Sequence, residues 1–224
     1  LHPRVRRQRQ MCIRDRFGRK YPNVGYGTMF KRWIDSYCER GYNSYGNGSA
    51  MRVSFIGEHF DTLKKVEDEA QKSALCTHNH PEGVKGAQVI AGCGYLAKNG
   101  ASKKEIKSYV QKKFGYSLNK RLSFYRVFSR FDMSCQKSVP LALQCFLESD
   151  SWEECIRNVF SVRCDTDTIG AIAGGIADAY FHGTGFDEDA LLRQFLIKPN
   201  KFGAMDPFLY QWAIAKQEES GEPS

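Results

Sequence analysis

The sequence predicts an all-α protein of many helices around one core, and three observations carry that reading. Apolar residues recur at helical spacing from residue 28 onward. Start and stop residues bracket the periodic segments. No stretch of strand length alternates apolar with polar residues, and no internal repeat at about 20–50 residues is evident.

Taken in order, 28–39 carries Met29, Phe30, Trp33, Ile34 and Tyr37 on one face. Asp61 is the expected N-cap of a helix over 62–75, whose outer face holds acids and lysines. Pro81 and Glu82 open a helix bearing Val84, Ala87, Val89, Ile90, Ala91 and Leu96, and Asn99-Gly100 stops it. Ser102 caps 103–114, where Ile106, Tyr109, Val110 and Phe114 share a face. Helices are further expected over 140–147, 151–160, 168–181, 188–196 and 207–217.

The chain's 224 residues suit one domain with a substantial core. No run of about 18 apolar residues exists, so no membrane partner is expected. The net charge of +8 is concentrated: residues 1–20 hold eight Arg or Lys against Asp15, which leaves +1 for the remainder. A nearly neutral body argues against a nucleic-acid-binding face. Residues 1–20 are therefore expected to be a disordered or non-native segment, 21–217 the helical domain and 218–224 a tail. Eight cysteines show no C-x-x-C pair and no regular spacing. Reduced, buried thiols in a cytoplasmic protein fit this better than a disulfide framework.

The densest chemistry lies at Cys164-Asp165-Thr166-Asp167-Thr168, directly before a run rich in Gly and Ala. Carboxylate and hydroxyl oxygens are the donors that Mg²⁺ prefers. Capping of a helix N-terminus by the same acids is the competing explanation. Three other polar segments stand out. Tyr42–Arg52 is rich in Gly, Asn and Ser, and its backbone N–H groups could approach a phosphate; Arg52 could meet that phosphate or form a structural ion pair. Cys76, His78 and His80 alternate, a spacing that matches no closed zinc site. His78 suits a pocket mouth, and His80 reads as a turn residue before Pro81. Cys135 lacks a local His to activate it, so a buried thiol is expected there.

Together these segments resemble the ADP-ribosylglycohydrolase family. The resemblance rests on S-Y-G-N-G-S-A-M-R at 44–52, T-H-N-H-P-E-G-x-x-G-A at 77–87, S-C-Q-x-S-V-P at 134–140 and D-T-D-T-I-G-A-I-A-G at 165–174, in that order. It implies an orthogonal multi-helix bundle with a cleft holding two Mg²⁺ ions, Mn²⁺ being the alternative. It also implies hydrolysis of the glycosidic bond of ADP-ribosylated proteins or small ADP-ribosyl compounds. Asp165, Asp167 and Thr168 match the family's C-terminal metal ligands. Ser44, Tyr45, Gly46 and Asn47 match its substrate loop, and His78 matches a histidine contacting ADP-ribose. The family's N-terminal Thr-Asp-Asp-Thr run, and the catalytic carboxylate often found near it, have no counterpart, since the chain contains no Asp-Asp pair. Arg163-Cys164 stands where many members have Gly-Gly. An N-terminally incomplete, weak or inactive hydrolase is thus expected, with a non-catalytic ADP-ribose-binding module as the alternative. The acceptor, whether arginine, serine, nucleobase or metabolite, stays open.

Overall fold

A computed structural model describes residues 14, 16–22, 25–36, 40–187 and 190. The described residues form helices α1 (Thr28–Asp35), α2 (Ser54–His59), α3 (Leu63–Leu75), α4 (Pro81–Lys98), α5 (Lys103–Phe114), α6 (Leu122–Phe128), α7 (Cys135–Leu147), α8 (Trp152–Phe160) and α9 (Thr166–Phe181). A 3₁₀ turn spans Asn47–Ser49. Among the described residues there is no strand, only an isolated antiparallel bridge between Gly46 and Ser134. No described helix is long and apolar enough to cross a membrane.

The centre of the bundle is α4, which packs against α2, α3, α5, α7, α9 and the 3₁₀ turn. Small residues all round its circumference make this placement possible: Gly83, Gly86, Ala87, Ala91, Gly92, Gly94 and Ala97 are all buried. A helix with no polar face belongs inside. At Gly57 of α2 an added Cβ would lie 2.6 Å from the Ala91 carbonyl oxygen, so the α2–α4 crossing depends on glycine there. The second buried helix, α9, packs on α8, α7, α4 and α2. Phe146 of α7 is fully buried, with Tyr180 and Phe181 of α9 meeting it edge-on. Burying one such ring contributes about 2–3 kcal/mol.

Several boundaries differ from expectation for identifiable reasons. Thr62, not Asp61, caps α3, its hydroxyl accepting from the Lys65 N–H. The sequence places a helix start at Pro140, but α7 begins at Cys135 and runs through it. Proline removes only one intrahelical donor, and its would-be acceptor lies on exposed Gln136. The last long helix starts at Thr166 rather than Thr168, and Ser151 is the N-cap of α8 rather than its first residue. Short α2 and α6 were not anticipated; six or seven residues hold too few turns to display a period. Within the segment 1–20, expected to lack regular structure, residues 16–20 are helical. Arg14 there donates to the Ser73 carbonyl and hydroxyl, and Phe17 stacks on Tyr21. Glu188–Leu196 beyond its ends and Pro207–Gln217 lie outside the described residues, as does the tail 218–224.

Candidate functional site

The site is assembled by α9 from one side and two paired loops from the other. Gly46 and Ser134 form the bridge noted above, with Asn47 N–H donating to the Met133 carbonyl at 2.7 Å and Cys135 N–H to the Tyr45 carbonyl at 2.9 Å. This pairing lays the Ser44–Ser49 loop along the entry to α7. Asn47 is then buried and aimed across the gap: its Nδ2 donates to Ser138 Oγ at 2.9 Å and to Asp165 Oδ2 at 2.8 Å.

Asp165 bears on both explanations of the acidic segment. It occupies the N-cap position of α9, yet its side chain makes no capping hydrogen bond. Instead the carboxylate faces Asn47, the Asp167 carboxyl and the Thr168 hydroxyl. Burial raises its pKa; the Asn47 N–H opposes that rise and the Asp167 carboxyl adds to it. Thr168 is buried, whereas Asp167 is exposed. Asp165, Asp167 and Thr168 thus converge, and the N-terminal dipole of α9 favours their negative charge. Their oxygens fit a hard divalent cation in kind, although three side chains fall short of the about six donors Mg²⁺ takes. No group of three or more His, Cys, Asp or Glu is placed to hold a metal among the described residues.

Opposite the acids, His78 is buried and held in one role. Arg52 donates to Thr77 Oγ1 at 2.9 Å, and Thr77 Oγ1 meets His78 Nδ1 at 2.8 Å. Arg52 occupies one lone pair of the Thr77 hydroxyl, and the hydroxyl in turn engages Nδ1, which leaves Nε2 as the ring nitrogen turned away from Thr77. That nitrogen faces the glycine loop: a Cβ at Gly48 would lie 3.2 Å from it, and one at Gly46 3.6 Å. Burial, then Arg52, then Arg14 push the His78 pKa down to about 3, so the ring is a neutral N–H donor at ordinary pH. Arg52 itself is pushed down to about 9 by burial and by Arg14. It donates to the Ser73 carbonyl and to Thr77, and among the described residues it forms no ion pair with an acid.

The other candidates are placed as follows. Ser44 Oγ accepts from the Gly46 N–H at 3.1 Å, and Tyr45 presents a half-exposed ring edge-on to His80. His80 caps α4, accepting from the Glu82 N–H. Cys76 donates to the Lys72 carbonyl, so Cys76, His78 and His80 do not converge. Burial raises the Cys135 thiol to about 11, and it donates to the Gly46 carbonyl; it is no nucleophile. Asn47, expected to touch ligand, is committed to Ser138 and Asp165 and acts by positioning them. The residues that sequence reasoning passed over are Ser138 and Thr77, both inside the quoted motifs but silent in periodicity.

The site thus joins paired acids at a buried helix start to a glycine loop beside a neutral histidine, within an all-α bundle. The ADP-ribosylglycohydrolase family model matches residues 5–194, and the chain belongs to that family. It is 28% identical over 228 residues to the ADP-ribosylhydrolase ARH3 of Mus musculus and to that of Homo sapiens, covering 74% of this chain and 62% and 63% of theirs. The chain therefore spans less than two thirds of the length of these curated relatives. A chain of a solved ADP-ribosylglycohydrolase-related protein complex superposes with TM-score 0.61 at 23% identity, covering 92% of this chain and 71% of that one, and shows the same fold.

Proposed function

We propose that the protein hydrolyses the glycosidic bond between ADP-ribose and its acceptor, in ADP-ribosylated proteins or small ADP-ribosyl compounds. Water replaces the acceptor at C1″ of the ribose, and the acceptor leaves carrying a proton. The observation that supports this best is the Asp165 carboxylate, which forgoes its cap and turns to Asn47, Asp167 and Thr168.

In this reading Asp165, Asp167 and Thr168 hold a divalent cation, Mg²⁺ or Mn²⁺, with further oxygens from water, substrate or residues beyond those described. Such an ion, when bound, supplies Lewis acidity toward the ribose hydroxyls. The backbone of Ser44, Tyr45 and Gly46 receives the diphosphate and ribose, and Tyr45 offers its ring. His78 turns Nε2 toward the ligand and stays neutral, because burial and two arginines hold its pKa near 3. Asn47 fixes the Asp165 carboxylate, so that the ligand set is oriented before substrate arrives.

A second reading, a non-catalytic ADP-ribose-binding module, draws support from the absence of a full ligand cluster among the described residues. Calorimetry with ADP-ribose, in Mg²⁺ and in chelator, together with an assay of ADP-ribose release from modified serine and arginine peptides, separates the two. Mg²⁺-dependent release establishes the hydrolase. Metal-independent binding without release establishes the binder and overturns the hydrolase.

A further inference from the structure

A cavity of about 670 Å³ opens beside the segment that carries the acid pair. Ser138, Cys164 and Ile169 are in its wall. Ser138 shares the Asn47 amide with Asp165, and Cys164 and Ile169 flank the three candidate ligands. None of Ser44, Tyr45, Gly46, Asn47 or His78 lines it. Asn47 of the glycine loop donates to both Ser138 in the cavity wall and Asp165, and so links the two. The volume is in the range of a binding site rather than a packing defect.

The walls carry a distinct chemistry. Lys120, Arg130 and Lys137 are exposed and make no ion pair among the described residues. The acids present are spoken for: Glu82 pairs with Lys85 at 2.8 Å, and Asp132 accepts from Ser134 N–H and Oγ on its own loop. Phe128 and Phe131 stand 65% and 60% exposed on the rim. Two further rings of the wall are already covered. Lys85 lies 4.3 Å from the Tyr116 centroid, and Lys120 lies 4.3 Å from that of Phe124. Lysines held over rings, beside unpaired cations and exposed phenylalanines, suit an extended chain bearing carboxylates and apolar side chains.

We propose that this cavity is the acceptor subsite, receiving the polypeptide beyond the scissile bond and selecting modified residues set in acidic sequence. The inference rests on the reading of the acid pair as the site of ADP-ribosyl hydrolysis. It deepens that reading by naming the acceptor as an acidic peptide segment.

The test uses the full chain and three ligands: free ADP-ribose, an ADP-ribosyl-serine peptide with Asp and Glu flanks, and the same peptide with Asn and Gln flanks. Fluorescence anisotropy gives each affinity, and each peptide is expressed relative to free ADP-ribose, which leaves the cavity empty. The acidic peptide is expected to bind about tenfold tighter than the neutral one, as two or three partly exposed ion pairs would give. In the Lys120→Glu/Lys137→Glu variant that ratio falls to one or below. A Lys64→Glu control, at an exposed residue of α3 absent from the cavity wall, keeps it. Equal binding of the two peptides by the native chain overturns the proposal, as does a preference that survives the double reversal. Displacement of the acidic peptide by adenosine monophosphate at concentrations that leave ADP-ribose bound would also overturn it, marking a nucleotide-reading surface. Failure of free ADP-ribose to bind the native chain strikes the underlying site reading instead, and the subsite falls with it.

Discussion

The acidic end of α9 and the glycine shelf facing His78 meet at Asn47, and they manage charge in opposite ways. At α9, two carboxylates stand side by side, and burial together with mutual repulsion raises the pKa of Asp165. A single amide N–H and a hydroxyl only partly offset this, so the charge is under-compensated. At the shelf, burial and two arginines strip the charge from His78, whose Nδ1 meets the Thr77 hydroxyl. A region that concentrates negative charge is prepared for a cation. One that fixes a neutral donor is prepared to orient a ligand without exchanging protons.

The sharpest way to break the contrast is to erase the charge at α9. Replacing Asp165 and Asp167 together with Ala is expected to lower Mg²⁺ affinity by more than about a hundredfold. The rise in melting temperature that Mg²⁺ gives the native chain by mass action should vanish with it. Thermal melts in Mg²⁺ and in chelator measure this. A metal-dependent rise that survives the double substitution would show that these oxygens are not the ligands.

The shelf can be broken sterically. An added Cβ at Gly83 would sit 2.6 Å from the Ser44 carbonyl and 3.0 Å from that of His78, both backbone atoms that cannot swing aside. Gly83→Ala should therefore cost up to about 3 kcal/mol in urea unfolding, and should weaken ADP-ribose binding by displacing the Ser44 loop. Normal affinity in a destabilised variant would separate loop position from recognition.

A third experiment reads the shelf's neutrality directly. The histidine of an unfolded chain takes up a proton near pH 6.5, while folded His78 resists until about 3. Below 6.5 the unfolded state binds the extra proton, so this contribution to stability is complete above that pH and is lost as pH falls toward 3. Between pH 7 and pH 5 the loss is about 2 kcal/mol from this residue. His78→Gln, which keeps an N–H donor but cannot titrate, should flatten that slope in denaturant titrations. An unchanged slope would mean that His78 titrates normally and is no obligate neutral donor.

How far these two regions were legible in the sequence follows from what each depends on. Asp165, Asp167 and Thr168 are adjacent, so their types and spacing alone suggest a ligand set. Whether Asp165 caps α9 or leaves it depends on Asn47, 118 residues away in the chain, and no local pattern carries that. The protonation of His78 is similarly invisible, because it depends on burial and on the charges of Arg52 and Arg14, which lie far from it in the chain. Buried helices such as α4 announce themselves by composition. Short α2 and α6 do not, since their positions are dictated by what they pack on, at Gly57 above all. The start of α7 was missed because a proline reads as a boundary, although a helix with a solvent-facing acceptor tolerates it.

The smallest predicted effect tests whether the Gly/Ala run after the acids is one feature or two. The sequence suggests that all of it allows close helix approach, but the structure divides it. A Cβ at Gly175 would meet Ser54 Oγ at 2.3 Å and Ser54 Cβ at 2.9 Å, while at Gly174 it would meet Ile156 Cδ1 at 3.2 Å. At Gly170, one turn from the acids, nothing lies within 4 Å. Packing therefore explains glycine at 174 and 175 but not at 170. Gly170→Ala should stabilise α9 by up to about 1 kcal/mol, since alanine restricts the unfolded chain and suits a helix better. Gly175→Ala should be destabilising, because Ser54 has to shift. If Gly170→Ala keeps its stability and yet weakens binding of ADP-ribose or an ADP-ribosyl peptide, the open space at 170 belongs to the ligand. If binding is unaffected as well, that glycine is incidental, and only the lower half of the run is required by the fold.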